Sequence, residues 1–291
     1  MEQTVRILLA LILMLLPGLV SADAISAEMV RISTPFYEPN FDNFEPPLGE
    51  YTYDVGWQGI PAATVKVKVE FDGLNYKIST KVKTVKFIDF FYHLRYQGEG
   101  LISAVDFSPI EAYIYHLENA REKISRLTFH ADGNIESVRE RKVGNDAPTL
   151  ERLRFDPDNF TLDPFSAAFL VRSLNWKEGD VREFDTFNGK SRYLITLKCA
   201  GTSRIRIGGS YRDTLVLTPS IKNLTNPDSD KKFRSAKIFL SADKAREILK
   251  VESSVFVGKV TTKLESFVAL PANRIRETLA LRKEVKETRL E

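Results

Sequence analysis

The segment Val65-Lys66-Val67-Lys68-Val69-Glu70-Phe71-Asp72-Gly73 decides the fold. Apolar residues at 65, 67, 69 and 71 alternate with Lys66, Lys68 and Glu70, the period of a strand with one face in a core and the other in water. Asp72 and Gly73 tolerate the positive φ angles of a tight hairpin turn. Tyr76, Ile78, Thr80 and Val82 then form the return strand. Upstream, Tyr51, Tyr53, Val55 and Trp57 alternate with Thr52, Asp54 and Gly56, and Gly59-Ile60-Pro61 is read as the turn that follows. The same grammar recurs at Asp132-Gly133, between Leu127 and Phe129 on one side and Ile135 and Val138 on the other. It recurs again at Asn188-Gly189, between Phe184 and Phe187 and the run Tyr193, Ile195, Leu197. Further strands are predicted at 91–103, 110–117, 203–208, 212–219, 235–241, 247–257 and 259–268, with Gly208-Gly209-Ser210 as a turn. Antiparallel hairpins dominate. The fold class is mainly β: a large curved antiparallel sheet or half-open β-barrel. No internal repeat supports a propeller or solenoid.

One helix interrupts this pattern. Asp163 is an N-cap residue and Pro164 suits the first helical position. Phe165, Ala168, Phe169 and Arg172 follow at helical spacing, and the segment is apolar on several sides. It is predicted to be a buried central helix that divides the strands into two groups. A short helix is predicted at Asp243–Ile248.

The chain ends read differently. Arg6 precedes an unbroken apolar run from Ile7 to Leu16, and Pro17-Gly18 breaks it. The small residues of Val20-Ser21-Ala22 and Ala22-Asp23-Ala24 fit signal peptidase. The run is too short to cross a bilayer, which takes about 20 apolar residues. Residues 1–22, or to 24, are therefore read as a signal peptide and 23–46 as an N-terminal arm or linker. An antiparallel β domain is assigned to 47–269, and a charged tail with helical potential to 270–291. No cysteine follows the apolar run, so a lipidated N-terminus is not expected. The single Cys199 cannot form an internal disulfide and reads as a buried small hydrophobe. Together these features predict a periplasmic protein without a membrane-spanning helix in its mature chain.

The 291 residues are 43% hydrophobic and 28% charged, an ordinary globular balance. A net charge of +3 gives no basic footprint for nucleic acid. The three histidines, His93, His116 and His130, have no metal-ligand spacing. Neither a Gly-x-Ser-x-Gly elbow nor a phosphate-binding glycine loop is present. Asp156, Asp158 and Asp163 lack the glycine and distal glutamate of a calcium loop, and read as loop and cap residues. No catalytic residue, cofactor or metal is predicted.

Several segments, in their order and spacing, resemble a family of exported bacterial proteins catalogued as domain of unknown function 3108. They include Gly49-Glu50-x-x-Tyr53-x-Val55-x-Trp57-x-Gly59-Ile60-Pro61 and Leu162-Asp163-Pro164-Phe165-Ser166-Ala167, running on to Arg172. Gly179-Asp180, Ile238-Phe239-Leu240-Ser241-Ala242-Asp243, Arg246 and Val257-Gly258-Lys259-Val260 complete the set. The resemblance spans Gly49 to about Leu264, with Ala62-Ala63 standing where glycine is expected. It implies an envelope protein built on a large curved antiparallel sheet, similar in general shape to half-barrel lipid and lipoprotein carriers. It brings no catalytic residues.

Four positions are singled out as ligand-binding or structural: Tyr53, Trp57, Asp163 and Arg172. Trp57 is expected in the core and Asp163 at the helix cap. Arg172, on an apolar helix, needs a carboxylate or backbone partner if buried, and a structural ion pair is the expectation. The leading functional expectation is a non-enzymatic envelope protein that binds a lipid or other amphiphile on the concave face of the sheet. A structural partner in envelope assembly ranks second, and a cell-wall hydrolase with dispersed carboxylates third. Membrane contact, where it occurs, is expected to be peripheral.

Overall fold

The computed structural model describes residues 31–226, 233–255 and 258–271. The segment read as a signal peptide and nearly all of the charged tail lie outside the described residues. The first eight strands are β1 (Gly49–Trp57), β2 (Ile60–Phe71), β3 (Asn75–Thr84), β4 (Leu94–Ser103), β5 (Pro109–Glu118), β6 (Arg121–Phe129), β7 (Ile135–Val143) and β8 (Thr149–Phe155). The remainder are β9 (Thr161–Leu162), β10 (Val181–Phe187), β11 (Arg192–Ile207), β12 (Ser210–Asn223), β13 (Phe233–Ser241), β14 (Ile248–Val255) and β15 (Gly258–Ala269). A short helix, α1 (Lys86–Asp89), joins β3 to β4, and the longer α2 (Pro164–Ser173) lies between β9 and β10.

All fifteen strands of the described residues belong to one sheet, in the order β8-β7-β6-β5-β4-β3-β2-β1-β15-β14-β13-β12-β11-β10-β9. Each wing is a meander, because short turns can join only neighbouring antiparallel strands. Pairing of β1 with β15 unites the wings. The parallel contact of β9 with β10 departs from the antiparallel pattern. The two edge strands, β8 and β9, are consecutive in the chain, so the sheet must curl until its ends approach. They meet through side chains and loops, with no ladder between them. Phe155 packs edge-on against Phe187 at 5.0 Å. The Ser137 hydroxyl donates to the Gly189 carbonyl at 2.7 Å, and Arg192 Nη2 donates to the Pro157 carbonyl at 3.2 Å. Gly189 serves both the turn (φ +87°) and this approach, since a Cβ there would stand 3.0 Å from the Ser125 Cβ.

Helix α2 and the arm occupy part of the hollow. The Phe165 ring lies over Gly98 and Gly100 of β4, and a Cβ on Gly100 would come within 2.5 Å of it. Residues 31–48 form no regular structure but are packed, not a free linker. Buried Phe44 meets Phe107 and Phe169 at 5.8 Å each. Asn43 Nδ2 donates to the Leu174 carbonyl at 3.1 Å, satisfying a free acceptor at the end of α2.

The helix predicted at Asp243–Ile248 is instead the turn of the β13–β14 hairpin, with Ile248 already the first residue of β14. The Asp243 carboxylate accepts from Ala245 N at 3.1 Å and from the Ser241 hydroxyl at 2.7 Å, which holds the chain in reversal. The turn read at Gly59-Ile60-Pro61 centres on Gln58 and Gly59, with φ of 51° and 84°. Pro61 falls within β2, where the ladder with β1 shifts register and no donor is missed. The strand predicted at 203–208 is continuous with the run after Asn188-Gly189, bending at an irregularity between Cys199 and Thr202. Strand β8 has no counterpart among the predicted strands. Four of its seven residues are charged or hydroxylated, as suits an edge, and this masks the period.

Candidate functional site

The site grows from the cap of α2. Ser166 N donates to Asp163 Oδ1 at 2.7 Å, Asp163 N donates to Ser166 Oγ at 3.1 Å, and the Ser166 hydroxyl also contacts that carboxylate. Asp163 is fully buried. Burial pushes its carboxyl from 3.8 up to about 6, although the Ser166 hydroxyl and backbone donors pull it back. The folded state therefore holds this proton more tightly than the unfolded chain. The resulting stability is fully present below pH 3.8 and is lost as pH rises through about 6. That gap corresponds to roughly 3 kcal/mol. Asp163→Asn keeps a good cap but cannot ionise. Its stability relative to wild type should rise by about that amount between pH 4 and pH 7, measured by urea unfolding. A difference independent of pH would show that Asp163 does not titrate in this window.

Beyond its cap, α2 does not pack flush on the sheet. A cavity of about 220 Å³ lies between them. Its walls are Val67, Val69, Ile78 and Val251 on one side, Ile195, Leu197, Leu217 and Leu240 on the other, and Ala167, Ala168 and Val171 from the helix. Thr80, Thr186 and Thr262 are the small polar interruptions. Tyr51, Tyr53 and Arg172 supply the remaining polar groups.

Arg172 is buried, and the chain supplies backbone, not a carboxylate, as its direct partner. Its Nε donates to the Arg246 carbonyl at 2.7 Å and its Nη2 to the Ala245 carbonyl at 3.0 Å. These carbonyls are available because the segment is a turn; a helix would engage them internally. The guanidinium also lies over the Phe44 ring at 4.6 Å and near the Phe169 ring at 5.6 Å. Among the described residues no carboxylate comes within ion-pair distance of it, which corrects the expected ion pair. Glu247 is the nearby acid whose field reaches it, and Glu247 is itself paired with Arg212 at 3.0 Å. Burial pushes the Arg172 guanidinium below its ordinary value, while Tyr51, Tyr53 and Glu247 pull it back. Burial likewise raises the Tyr51 and Tyr53 hydroxyls, with the Arg172 charge opposing it. Tyr51 stands close to Arg172, yet its buried oxygen has no hydrogen bond of good geometry.

Of the four singled-out positions, the structure brings Tyr53 and Arg172 together at the cavity wall. Asp163 is a cap. Trp57 is half-buried against the core and does not line the cavity, because it ends its strand at the sheet rim. Tyr51 belongs to the site and was legible only as one more inward strand residue. A second hollow of about 20 Å³, room for about one water, lies among His116, Lys123, Arg139, Arg141 and Lys190. Burial lowers Lys123 there to about 8, with Glu118 opposing and the neighbouring cations assisting. Among the described residues no group of His, Cys, Asp and Glu is arranged to hold a metal ion, and no helix is long and apolar enough to cross a membrane.

Residues 52–265 match the family described as "Protein of unknown function (DUF3108)". The chain belongs to that family. The matched span of this DUF3108 protein includes both wings of the sheet and α2. A β-barrel-like protein of domain of unknown function DUF1849 from Brucella abortus shares the fold at a TM-score of 0.53 and 8% identity, over 78% of this chain and 100% of that one. A candidate lipoprotein from Parabacteroides distasonis aligns at a TM-score of 0.32 and 10% identity, over 80% of this chain and 100% of that one. No curated protein matches the DUF3108 chain.

Proposed function

We propose that this protein is an exported, non-enzymatic envelope protein that holds one slender amphiphile with an anionic head. The tail lies in the cavity under α2, and the head meets Arg172 and Tyr51. The observation that carries this reading is a largely apolar cavity of about 220 Å³ with a buried cation on its wall. A cavity of about 150 Å³ accepts benzene, so by proportion this one accepts about nine carbon atoms. Export is supported by the N-terminal pattern of Arg6, the run Ile7 to Leu16 and the small residues before Asp23.

Chemistry at the wall selects the head. A guanidinium presents several donors in a fork that matches a carboxylate or phosphate. The Tyr51 hydroxyl adds a buried donor that the protein does not satisfy well, and such a group calls for an explanation.

Native mass spectrometry of the mature protein, paired with solvent extraction, should find a discrete added mass that extracts as an acidic amphiphile. A clean protein mass under conditions that keep weak complexes would count against the reading. Tyr51→Phe gives a finer test. It should weaken binding of a medium-chain alkyl carboxylate about tenfold and leave the matching alcohol nearly unchanged. It should also raise stability by about 1 kcal/mol, because an unsatisfied buried hydroxyl is removed. Equal weakening for both ligands would show that Tyr51 shapes the cavity without reading the head.

A further inference from the structure

The connection from β3 to β4 presents three phenylalanines to water. Phe87, Phe90 and Phe91 are 72%, 93% and 46% exposed. This is not a frayed loop. Ile88 and Tyr92, in the same segment, are buried in the core. The Asp89 carboxylate receives Arg95 Nη1 at 2.6 Å and Nη2 at 2.8 Å, with the Thr84 hydroxyl bonded to the same group. His93 Nδ1 stands 3.2 Å from Asp89, and the Tyr92 hydroxyl donates to Glu118 at 2.7 Å. The donors around Asp89, Arg95 first, hold its carboxyl well below the usual carboxylate range. The segment is therefore stapled into a shape that keeps three large apolar rings outside, with Phe87 and Phe91 edge-to-face at 5.4 Å. Isolated exposed apolar residues need no explanation, but a held cluster does.

The surroundings of the cluster name its partner. Lys81, Lys83 and Lys86 are exposed beside it, and the acid of the segment is neutralised by Arg95. Strand register puts the turns at 58–59, 119–120 and 144–148 at the same end of the sheet. That rim also exposes Ile60, Val143 and Leu150. Aromatic rings at a tip with lysines set just behind them match the boundary of a bilayer, where rings enter below the headgroups and cations stay among them. A second copy of the chain fits poorly, since a two-fold contact would set lysine against lysine.

We propose that this rim docks on a bilayer surface bearing anionic headgroups. Phe87, Phe90 and Phe91 enter the interface while Lys81, Lys83 and Lys86 lie among the headgroups. This docking is independent of the ligand reading and stands if the cavity proves to bind nothing.

The test is co-sedimentation of the mature full-length chain with vesicles of phosphatidylcholine and phosphatidylglycerol, against phosphatidylcholine alone. Wild type should partition at least about tenfold better onto the anionic vesicles, with the preference shrinking as salt rises. The combined variant Phe87→Ser, Phe90→Ser, Phe91→Ser should lose at least about tenfold in partitioning while keeping its melting temperature. The variant Lys81→Gln, Lys83→Gln, Lys86→Gln should lose the anionic preference alone. Three results would overturn the proposal: wild type that ignores both kinds of vesicle, a serine variant that binds as well as wild type, or rings that govern self-association or capture of an acidic protein with vesicles ignored.

Discussion

Asp185→Ala should destabilise the protein by roughly 3–5 kcal/mol, the usual result of stripping one partner from a buried ion pair. Asp185 and Arg192 are both buried. Arg192 Nε donates to Asp185 Oδ1 at 2.9 Å and its Nη2 to Oδ2 at 2.5 Å. The Thr161 hydroxyl donates to the same carboxylate at 2.6 Å and Asn159 Nδ2 at 3.1 Å. Arg192 also reaches the Pro157 carbonyl. One carboxylate thus ties together strands β9, β10 and β11 and the segment leaving β8, where the two ends of the sheet meet. Removing it leaves an uncompensated guanidinium and frees the seam. The melting temperature should fall by on the order of 10 °C. Replacing both residues with apolar ones of similar volume should recover much of the loss. A single variant that melts with wild type would mean that the seam is held without this carboxylate, by the Phe155–Phe187 contact and the remaining hydrogen bonds such as Ser137 to Gly189.

Ala168→Phe should abolish ligand binding and leave the fold intact. Ala168 lies on the cavity side of α2, and an added ring would occupy much of the 220 Å³ beside it. We expect at least about a hundredfold loss of affinity for a medium-chain alkyl acid, since the tail loses nearly all of its buried area. Stability should be unchanged or higher, because filling apolar space restores packing contacts. Titration calorimetry and thermal melting read the two effects separately. Undiminished binding in a folded variant would place the ligand elsewhere on the concave face.

Local patterns made much of the fold legible. The alternation at 65–71, the Asp-Gly and Asn-Gly turns, and the Asp163-Pro164 start of α2 each depend on residues close in sequence, and each stands in the structure. The misses have a common cause. Residues 243–248 have helix-forming composition, but the β13–β14 hairpin demands a reversal there, and Asp243 provides it through its side chain. Strand β8 is an edge whose charged residues hide its period. Arg172 was recognisable as an anomaly on an apolar helix. Its partners lie at Ala245 and Arg246, distant in sequence, and no local pattern points to them. Tyr51 and Tyr53 share one alternation, so nothing local marks Tyr51 as the one beside a buried cation.

Local chemistry alone, then, determined most of the strands, the Asp-Gly and Asn-Gly turns, the cap of α2 and the antiparallel class, because hydrogen-bond geometry and side-chain period act over a few residues. The pairing of β1 with β15, the meeting of the sheet edges and the cavity under α2 belong to the tertiary structure. Each depends on surfaces far apart in the chain, brought together when the sheet curls around one helix too small to fill it.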